Sequence, residues 1–365
     1  MGDSNPSATD PESEIFGLTY NVSVMSKVKY SAMGSLFPCL PDEIWLECLL
    51  RVELNSHHNL RRVCKSWNAA LKNPHFYQGR NFLKISEQRI CMLQNINGVC
   101  KRIALYDMQK NSCKNLPPIP ANILRILSCY FVKQKLVLLT DMVAENTRSW
   151  IWLYDFSCSK WRQGAQMTRW QTGFASAADE HGGLIYVGGG YGGFYNPVRS
   201  ASVYNVEEDK WHRLPDMNTY MEDLRGVFAD GKFYVLGKPS WPTFEVFDSY
   251  TRSWKTLENR FNSMHFLSVF GRLHCLSSRG LIEYDYSQDK LHIVGPLPTE
   301  DCEIINFAVV VGHKIFLNKW DPIEIESFYM LAPPNETEGE IKWVGIERLS
   351  GLKGSAIHAA TQVDL

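Results

Sequence analysis

"SVYNVEEDKWHRL", from Ser202 to Leu214, is the stretch that decides the fold. Its first half alternates apolar and polar residues, as a half-buried strand does. "EEDK" is turn chemistry, and a second short strand follows from Lys210. Tyr204 is followed at once by Asn205, and Trp211 stands seven residues beyond Tyr204. The arrangement returns in "WLYDFSCSKWRQ" (Tyr154, Trp161), "EVFDSYTRSWKTL" (Phe247, Trp254) and "IEYDYSQDKLHIV" (Tyr284, Leu291). An earlier copy, "ALYDMQKNSCKNLP", pairs Tyr106 with Cys113, and a later, looser one runs from Phe328 to Trp343.

The six aromatic positions lie 48, 50, 43, 37 and 44 residues apart. A period of about 45 residues is the length of one four-stranded blade of a β-propeller. The third copy reads as four strands: "TGFASAADE", "GLIYVGG", "SASVYNVE" and "KWHRLPDM". Within "LIYVGGGYGGF", Gly188, Gly190 and Gly193 spell G-x-G-x-x-G. A dinucleotide loop must run into a helix whose N-terminus faces the phosphate. Here Pro197 and a β pattern follow instead, so the glycines are assigned to close backbone packing at the end of a strand. The doublet Gly188–Gly189, with Tyr204 and Trp211, resembles the kelch repeat. That resemblance covers about residues 85–365 and implies that Trp161, Trp211 and Trp254 pack between blades. The fold class expected is therefore mainly β: a six-bladed kelch-type β-propeller over 84–365.

The second-strand candidates "RICMLQ", "KLVLLT", "LIYVGG", "KFYVLG", "RLHCLS" and "KIFLNK" number six, but "RICMLQ" lacks a strand before it. The C-terminal "GSAIHAATQV" resembles the small-residue strand "GFASAADE". Residues 355–363 are thus expected to supply the innermost strand of the first blade, joining the chain ends in one sheet. The connections from second to third strand and from one blade to the next are long, and these lie on one face of a propeller. They carry Trp170, Tyr191, Phe194, Tyr195, Trp241 and Trp320, with Arg199 and Arg279. Aromatics with arginine are what protein-binding surfaces are enriched in.

Residues 34–83 differ. Pro41, Asp42 and Glu43 form a helix start, and Ile44, Trp45, Cys48, Leu49 and Val52 fall at helical spacing. Leu60, Val63, Cys64, Trp67 and Leu71 make a second apolar stripe, and a short third segment follows near His75–Arg80. So small a unit cannot bury this many apolar side chains by itself. "LPDEI…CLLRV…LRRVCKSWNAAL" closely resembles the F-box. By that resemblance this three-helix module docks the Skp-type adaptor of a cullin-based (SCF) ubiquitin ligase. Leu40, Pro41, Ile44, Leu49, Leu50, Val63, Cys64 and Trp67 are then its adaptor-facing or module-core residues, two groups the sequence does not separate. "FYQGR…EQRICMLQ" further resembles the plant F-box/kelch subgroup associated with phenylpropanoid enzymes and cytokinin response regulators.

The net charge of −1 offers no bulk field for nucleic acid or an anionic membrane. None of the ten cysteines forms Cys-x-x-Cys, so neither a metal site nor another cofactor is expected. No apolar run reaches the ~18 residues of a membrane helix. The acidic start, "MGDSNPSATDPESE", shows no secretory pattern, so residues 1–33 are expected to be disordered and the protein cytoplasmic, nuclear or both. These features point to a non-catalytic substrate receptor of an SCF ligase, with the propeller loops binding a target protein for ubiquitination. The alternatives are a propeller enzyme, which would need convergent loop carboxylates or metal ligands, and a binding scaffold that works outside any ligase.

Overall fold

The computed structural model describes residues 40–83, 85–96, 100–119, 125–141, 150–169, 171–237, 243–258, 261, 263, 265–297, 305–311, 314–319, 327–332, 342–346 and 356–364. The N-terminal segment 1–33 lies outside them, as do Trp170, Trp241 and Trp320. The chain divides into two compact units. One comprises residues 1–87 with 364–365, and the other spans 88–363. The helical unit runs past residue 83 because Arg80 Nη2 donates to the Ile85 carbonyl (3.2 Å) and to Glu87 Oε1 (3.4 Å).

Among its described residues, the larger unit forms six four-stranded antiparallel sheets. Blade 1 is ordered Ala356–Asp364, Gln88–Ile96, Cys100–Asp107, Ser112–Asn115, so the C-terminal strand does form its inner edge. Blade 2 comprises Arg125–Val132, Lys135–Asp141, Trp150–Asp155 and Lys160–Gln163. Blade 3 comprises Ala175–Asp179, Leu184–Gly188, Ala201–Asn205 and Lys210–Leu214. Blade 4 comprises Arg225–Ala229, Lys232–Leu236, Thr243–Asp248 and Ser253–Glu258. Blade 5 comprises His265–Val269, Arg272–Ser277, Gly280–Asp285 and Lys290–Gly295. Blade 6 comprises Ile305–Val311, Lys314–Lys319, Ser327–Ala332 and Lys342–Ile346. The inner strands of blades 2 to 6 pack in succession, and a core of Ile90, Met92, Tyr106, Val309, Val311 and Phe316 joins blade 6 to blade 1.

The repeating signature is a hairpin with a latch. The aromatic and the residue seven beyond it are direct cross-strand partners in five blades: Tyr106–Cys113, Tyr154–Trp161, Tyr204–Trp211, Phe247–Trp254 and Tyr284–Leu291. The Asp or Asn after the aromatic accepts backbone N–H groups in the turn. Asp248 Oδ1, for example, holds Tyr250 N at 2.9 Å and Thr251 N at 3.0 Å. The residue five beyond the aromatic, Asn111, Ser159, Asp209, Arg252 or Asp289, takes a left-handed φ of 44–55°. Asn and Asp tolerate that region best. At three of these positions the side chain also accepts the tyrosine hydroxyl: Tyr106–Asn111 (3.0 Å), Tyr204–Asp209 (2.5 Å) and Tyr284–Asp289 (2.8 Å).

The latch is the indole N–H. Trp161 donates to the Pro117 carbonyl (3.2 Å), Trp211 to Ala165 (3.0 Å) and Trp254 to Pro215 (2.8 Å). Each bond reaches the chain leaving the outer strand of the preceding blade, so blades 1 to 4 are tied in series. Blade 5 has Leu291 in place of the tryptophan and forgoes the bond. In blade 6 the looser copy departs from the pattern: Phe328 pairs with Ile346, and Trp343 pairs with Leu331.

Gly188 packs so tightly that a Cβ would meet Met217 Sδ and Phe233 Cε1, both at 3.3 Å. Gly190 has φ +85°, and a Cβ there would lie 2.4 Å from the Thr172 carbonyl oxygen. Gly188 and Gly190 are thus structural, whereas Gly193, where a Cβ would meet nothing within 4 Å, is not held by close packing; it opens the three-residue turn Gly193–Tyr195, too short to be a phosphate-binding helix.

Trp211→Phe, which keeps a ring but not the N–H donor, is expected to lower the stability of the sheet unit by about 1 kcal/mol. Trp211→Ala is expected to cost roughly 3 kcal/mol, as large-to-small core changes do. Both are read by thermal denaturation followed through near-UV circular dichroism. Ending the chain at Gly354 removes the inner strand of blade 1, and the cooperative transition of the sheet unit should be lost in calorimetry rather than merely shifted.

Candidate functional site: two docking surfaces

The helical unit is built around a buried arginine. Helix α1 (Asp42–Leu50) packs Trp45, Leu46, Leu49 and Leu50 against Ala70, Leu71, Phe76 and Tyr77. Those partners lie on α3 (Lys65–Lys72) and α4 (Pro74–Phe82). Arg80, only 2% exposed, donates to the carbonyls of Leu50 (2.5 Å) and Val52 (2.6 Å). It thereby satisfies acceptors that the end of α1 leaves open. Glu87 Oε1 balances the charge and accepts Leu54 N at 2.6 Å.

The second apolar stripe is not one helix. The four-residue α2 (His57–Leu60) ends, a turn runs over Arg61–Val63, and α3 begins with the Cys64 thiol accepting Trp67 N at 3.4 Å. The structure also divides the residues grouped by sequence. Leu49 and Leu50 are core, and Trp67 is half-buried against them. Leu40, Ile44 and Val63 are 43%, 47% and 62% exposed, and Pro41 and Cys64 are exposed as well. Large aliphatic side chains this open mark an interaction surface where they gather in one patch.

His57 is buried in the same unit. Its Nε2–H donates to the Val52 carbonyl (3.0 Å), its ring meets Phe76 edge-on, and Nδ1 is buried without a hydrogen-bond partner. Burial, with smaller contributions from Arg80 and Arg61, lowers its pKa to about 4.

On the propeller, the hairpin from Gly189 to Ser200 presents the aromatics singled out above. Tyr191 is half-buried and exchanges backbone bonds with Thr172 (2.8 and 2.9 Å). Phe194 and Tyr195 stand at the tip, 97% and 74% exposed, both in the left-handed region at φ 57° and 54°. Two adjacent bulky residues rarely hold that conformation unless their surroundings impose it. The surroundings here are the bonds Gly192 N–Asn196 O (2.8 Å), Val198 N–Gly190 O (2.9 Å) and Gly189 N–Ser200 O (3.1 Å). Buried Gln171 adds Nε2 bonds to the carbonyls of Gly189 (2.5 Å) and Ser200 (2.9 Å).

Arg199 is half-buried. It donates to the Asn218 carbonyl (3.1 Å), and its guanidinium lies 5.2 Å from the centre of the exposed Tyr220 ring. Arg279 is exposed in the two-residue turn before Gly280. Sequence reasoning missed Tyr220, Gln171 and Glu245, the last of which holds the Tyr220 loop. One signal was available: a glutamate inside the otherwise apolar "FEVF" of a buried strand. Among the described residues, no group of three or more His, Cys, Asp or Glu side chains could hold a metal ion.

The comparisons agree with this division. A model of the F-box domain matches residues 37–79, and a model of the Kelch motif matches residues 175–218, which span blade 3. F-box/kelch-repeat protein At1g80440 of Arabidopsis thaliana is 29% identical over 62% of this chain and 70% of its own length. F-box/kelch-repeat protein At1g15670 of the same plant is 27% identical over 75% and 85%. The crystal structure of TolB from Acinetobacter baumannii aligns with a TM-score of 0.51 at 13% identity, covering 75% of this chain and 66% of that one, a likeness of fold alone.

Two outcomes test the helical unit. The unfolded chain protonates His57 near its ordinary pKa of 6.5, whereas the folded unit does so only near 4. Stability present above pH 6.5 is therefore lost as pH falls through that window, by roughly 3 kcal/mol in all. Ring NMR titration of His57 alongside acid unfolding checks both halves of the statement. Arg80→Leu takes its donor from the Leu50 carbonyl, leaves the Val52 carbonyl with His57 alone, and removes the cation beside Glu87. It should cost about 3 kcal/mol or more, measured by urea unfolding.

Proposed function

We propose that this chain, a plant-type F-box/kelch-repeat protein, is the substrate-recognition subunit of an SCF ubiquitin ligase. The observation that carries the reading is the exposed apolar set Leu40, Ile44 and Val63 on the F-box. With Pro41 and Cys64 it forms the adaptor-docking surface, while Leu49, Leu50 and the half-buried Trp67 hold that surface in shape. A Skp-type adaptor covers the set and links the chain to a cullin. The propeller face with Phe194, Tyr195, Arg199, Tyr220 and Arg279 holds the target. Tyr191 shapes that face from below, and Trp170, Trp241 and Trp320 belong to the same loops by sequence.

On this reading no residue of the chain is catalytic. Holding a target beside the ubiquitin-charged partner raises the effective concentration of its lysines, and that alone accelerates transfer. The target is a protein, with a phenylpropanoid-pathway enzyme or a response regulator as the first candidates. Cytoplasm and nucleus are the compartments where the chain would meet both. A rigid aromatic tip suits such work because its binding geometry is set before the partner arrives.

Ile44→Asp with Val63→Asp should reduce co-purification of a plant Skp-type adaptor by at least tenfold while the thermal transitions stay within a few degrees of the native chain. Undiminished adaptor binding by that folded variant would refute the docking assignment.

A further inference from the structure

Glu245 lies in the third strand of blade 4 and is fully buried. Its carboxylate accepts Asn218 N (2.8 Å), Thr219 N (2.5 Å) and the Thr219 hydroxyl (2.5 Å). All three donors belong to the connection that leads from blade 3 into blade 4. Asn218 is held further, its Nδ2 donating to Thr256 Oγ1 (3.1 Å) and its carbonyl accepting Arg199. Tyr220, the next residue along, is the ring over which Arg199 lies. A chain of direct contacts thus runs from a buried carboxylate to an exposed cation–aromatic pair.

The repeat does not itself require this glutamate. Two residues before the signature aromatic, blades 1, 2, 3 and 5 place Ala104, Trp152, Ser202 and Ile282 and still form their third strands, while blade 6 has Glu326, which lies outside the described residues. Burying a carboxylate is costly unless donors converge on it. Here they converge on one loop, and that loop carries half of the Arg199–Tyr220 pair. We propose that Glu245 is a positioning residue of target recognition, fixing Asn218 and Thr219 so that Arg199 and Tyr220 present one rigid platform to the target. The proposal rests on the target-face assignment above and adds to it the element that keeps the face in register.

Two measurements on the full chain separate the proposal from that assignment. Glu245→Gln keeps the side-chain volume but has one acceptor oxygen where the carboxylate has two. Amide exchange at Asn218 and Thr219 should then accelerate about tenfold or more, the effect of losing a bond to a charged acceptor. Exchange in the strand Lys232–Leu236 should stay unchanged. Glu245→Leu, mimicking Ile282 of blade 5, should do the same without collapse of the sheet unit.

The second measurement quantifies proteins retained from an Arabidopsis thaliana extract with cullin recruitment blocked. The proteins lost by Arg199→Ala/Tyr220→Ala should be the same ones that Glu245→Gln loses, with adaptor retention unaltered in both. Unchanged exchange at Asn218 and Thr219 in Glu245→Gln overturns the positioning role. Accelerated exchange with the retained set intact overturns its part in recognition. If Arg199→Ala/Tyr220→Ala loses nothing, the target-face assignment itself falls, and the exchange data decide the clamp separately.

Discussion

The outer strand of a propeller blade has a neighbour on one edge only and must be held from elsewhere. In this protein the cross-strand aromatic pair does the holding. Tyr154, Tyr204 and Phe247 each support a tryptophan ring with centroids 5.1–5.3 Å apart, and the indole N–H of each tryptophan reaches the preceding blade. An aromatic pair contributes about 1 kcal/mol beyond its buried area, and a hydrogen bond about as much again. Neither is large, but the same joint recurs from blade 1 to blade 4. The Asp or Asn beside the aromatic serves the same joint by turning the chain so that the tryptophan lands opposite its partner.

That latch also decides where the blade-to-blade loops begin. Each indole is bonded to the chain leaving the previous outer strand, the very segment that goes on to form a blade-to-blade connection. Pro215, the acceptor of Trp254, lies just before Asn218 and Thr219, which Glu245 holds from the same blade. Blade 4 therefore grips the connection at two points and leaves Tyr220 exposed beyond them. Gln171 grips the Gly189–Ser200 hairpin in a similar way. Exposed aromatic side chains on an ordered backbone lose little entropy on binding, which favours their use as anchors.

The helical unit follows the same logic with different parts. Its core is small, and Arg80 extends it by replacing apolar contacts with bonds to the end of α1 and to the chain before the propeller. With the core secured from behind, Leu40, Ile44 and Val63 are left facing outward.

The six copies, the hairpin turns and the return of the C-terminal strand to blade 1 were legible in the residues, because each is a local pattern repeated at a fixed period. Tyr204 and Trp211 announce their pairing through a spacing of seven that the turn geometry dictates. The likeness of the helical unit to the F-box came instead from family resemblance, carried by "LPDEI" and "VCKSW". The tertiary structure decided what depends on partners distant in the chain. It broke the Leu60–Leu71 stripe at Arg61–Val63, and it divided buried Leu49 and Leu50 from exposed Leu40, Ile44 and Val63. It set Trp343 against Leu331 in blade 6. It also buried Arg80 and Glu245, charged residues whose placement no periodicity foretells, because a charge enters a protein interior only where the fold has already gathered the groups that bond to it.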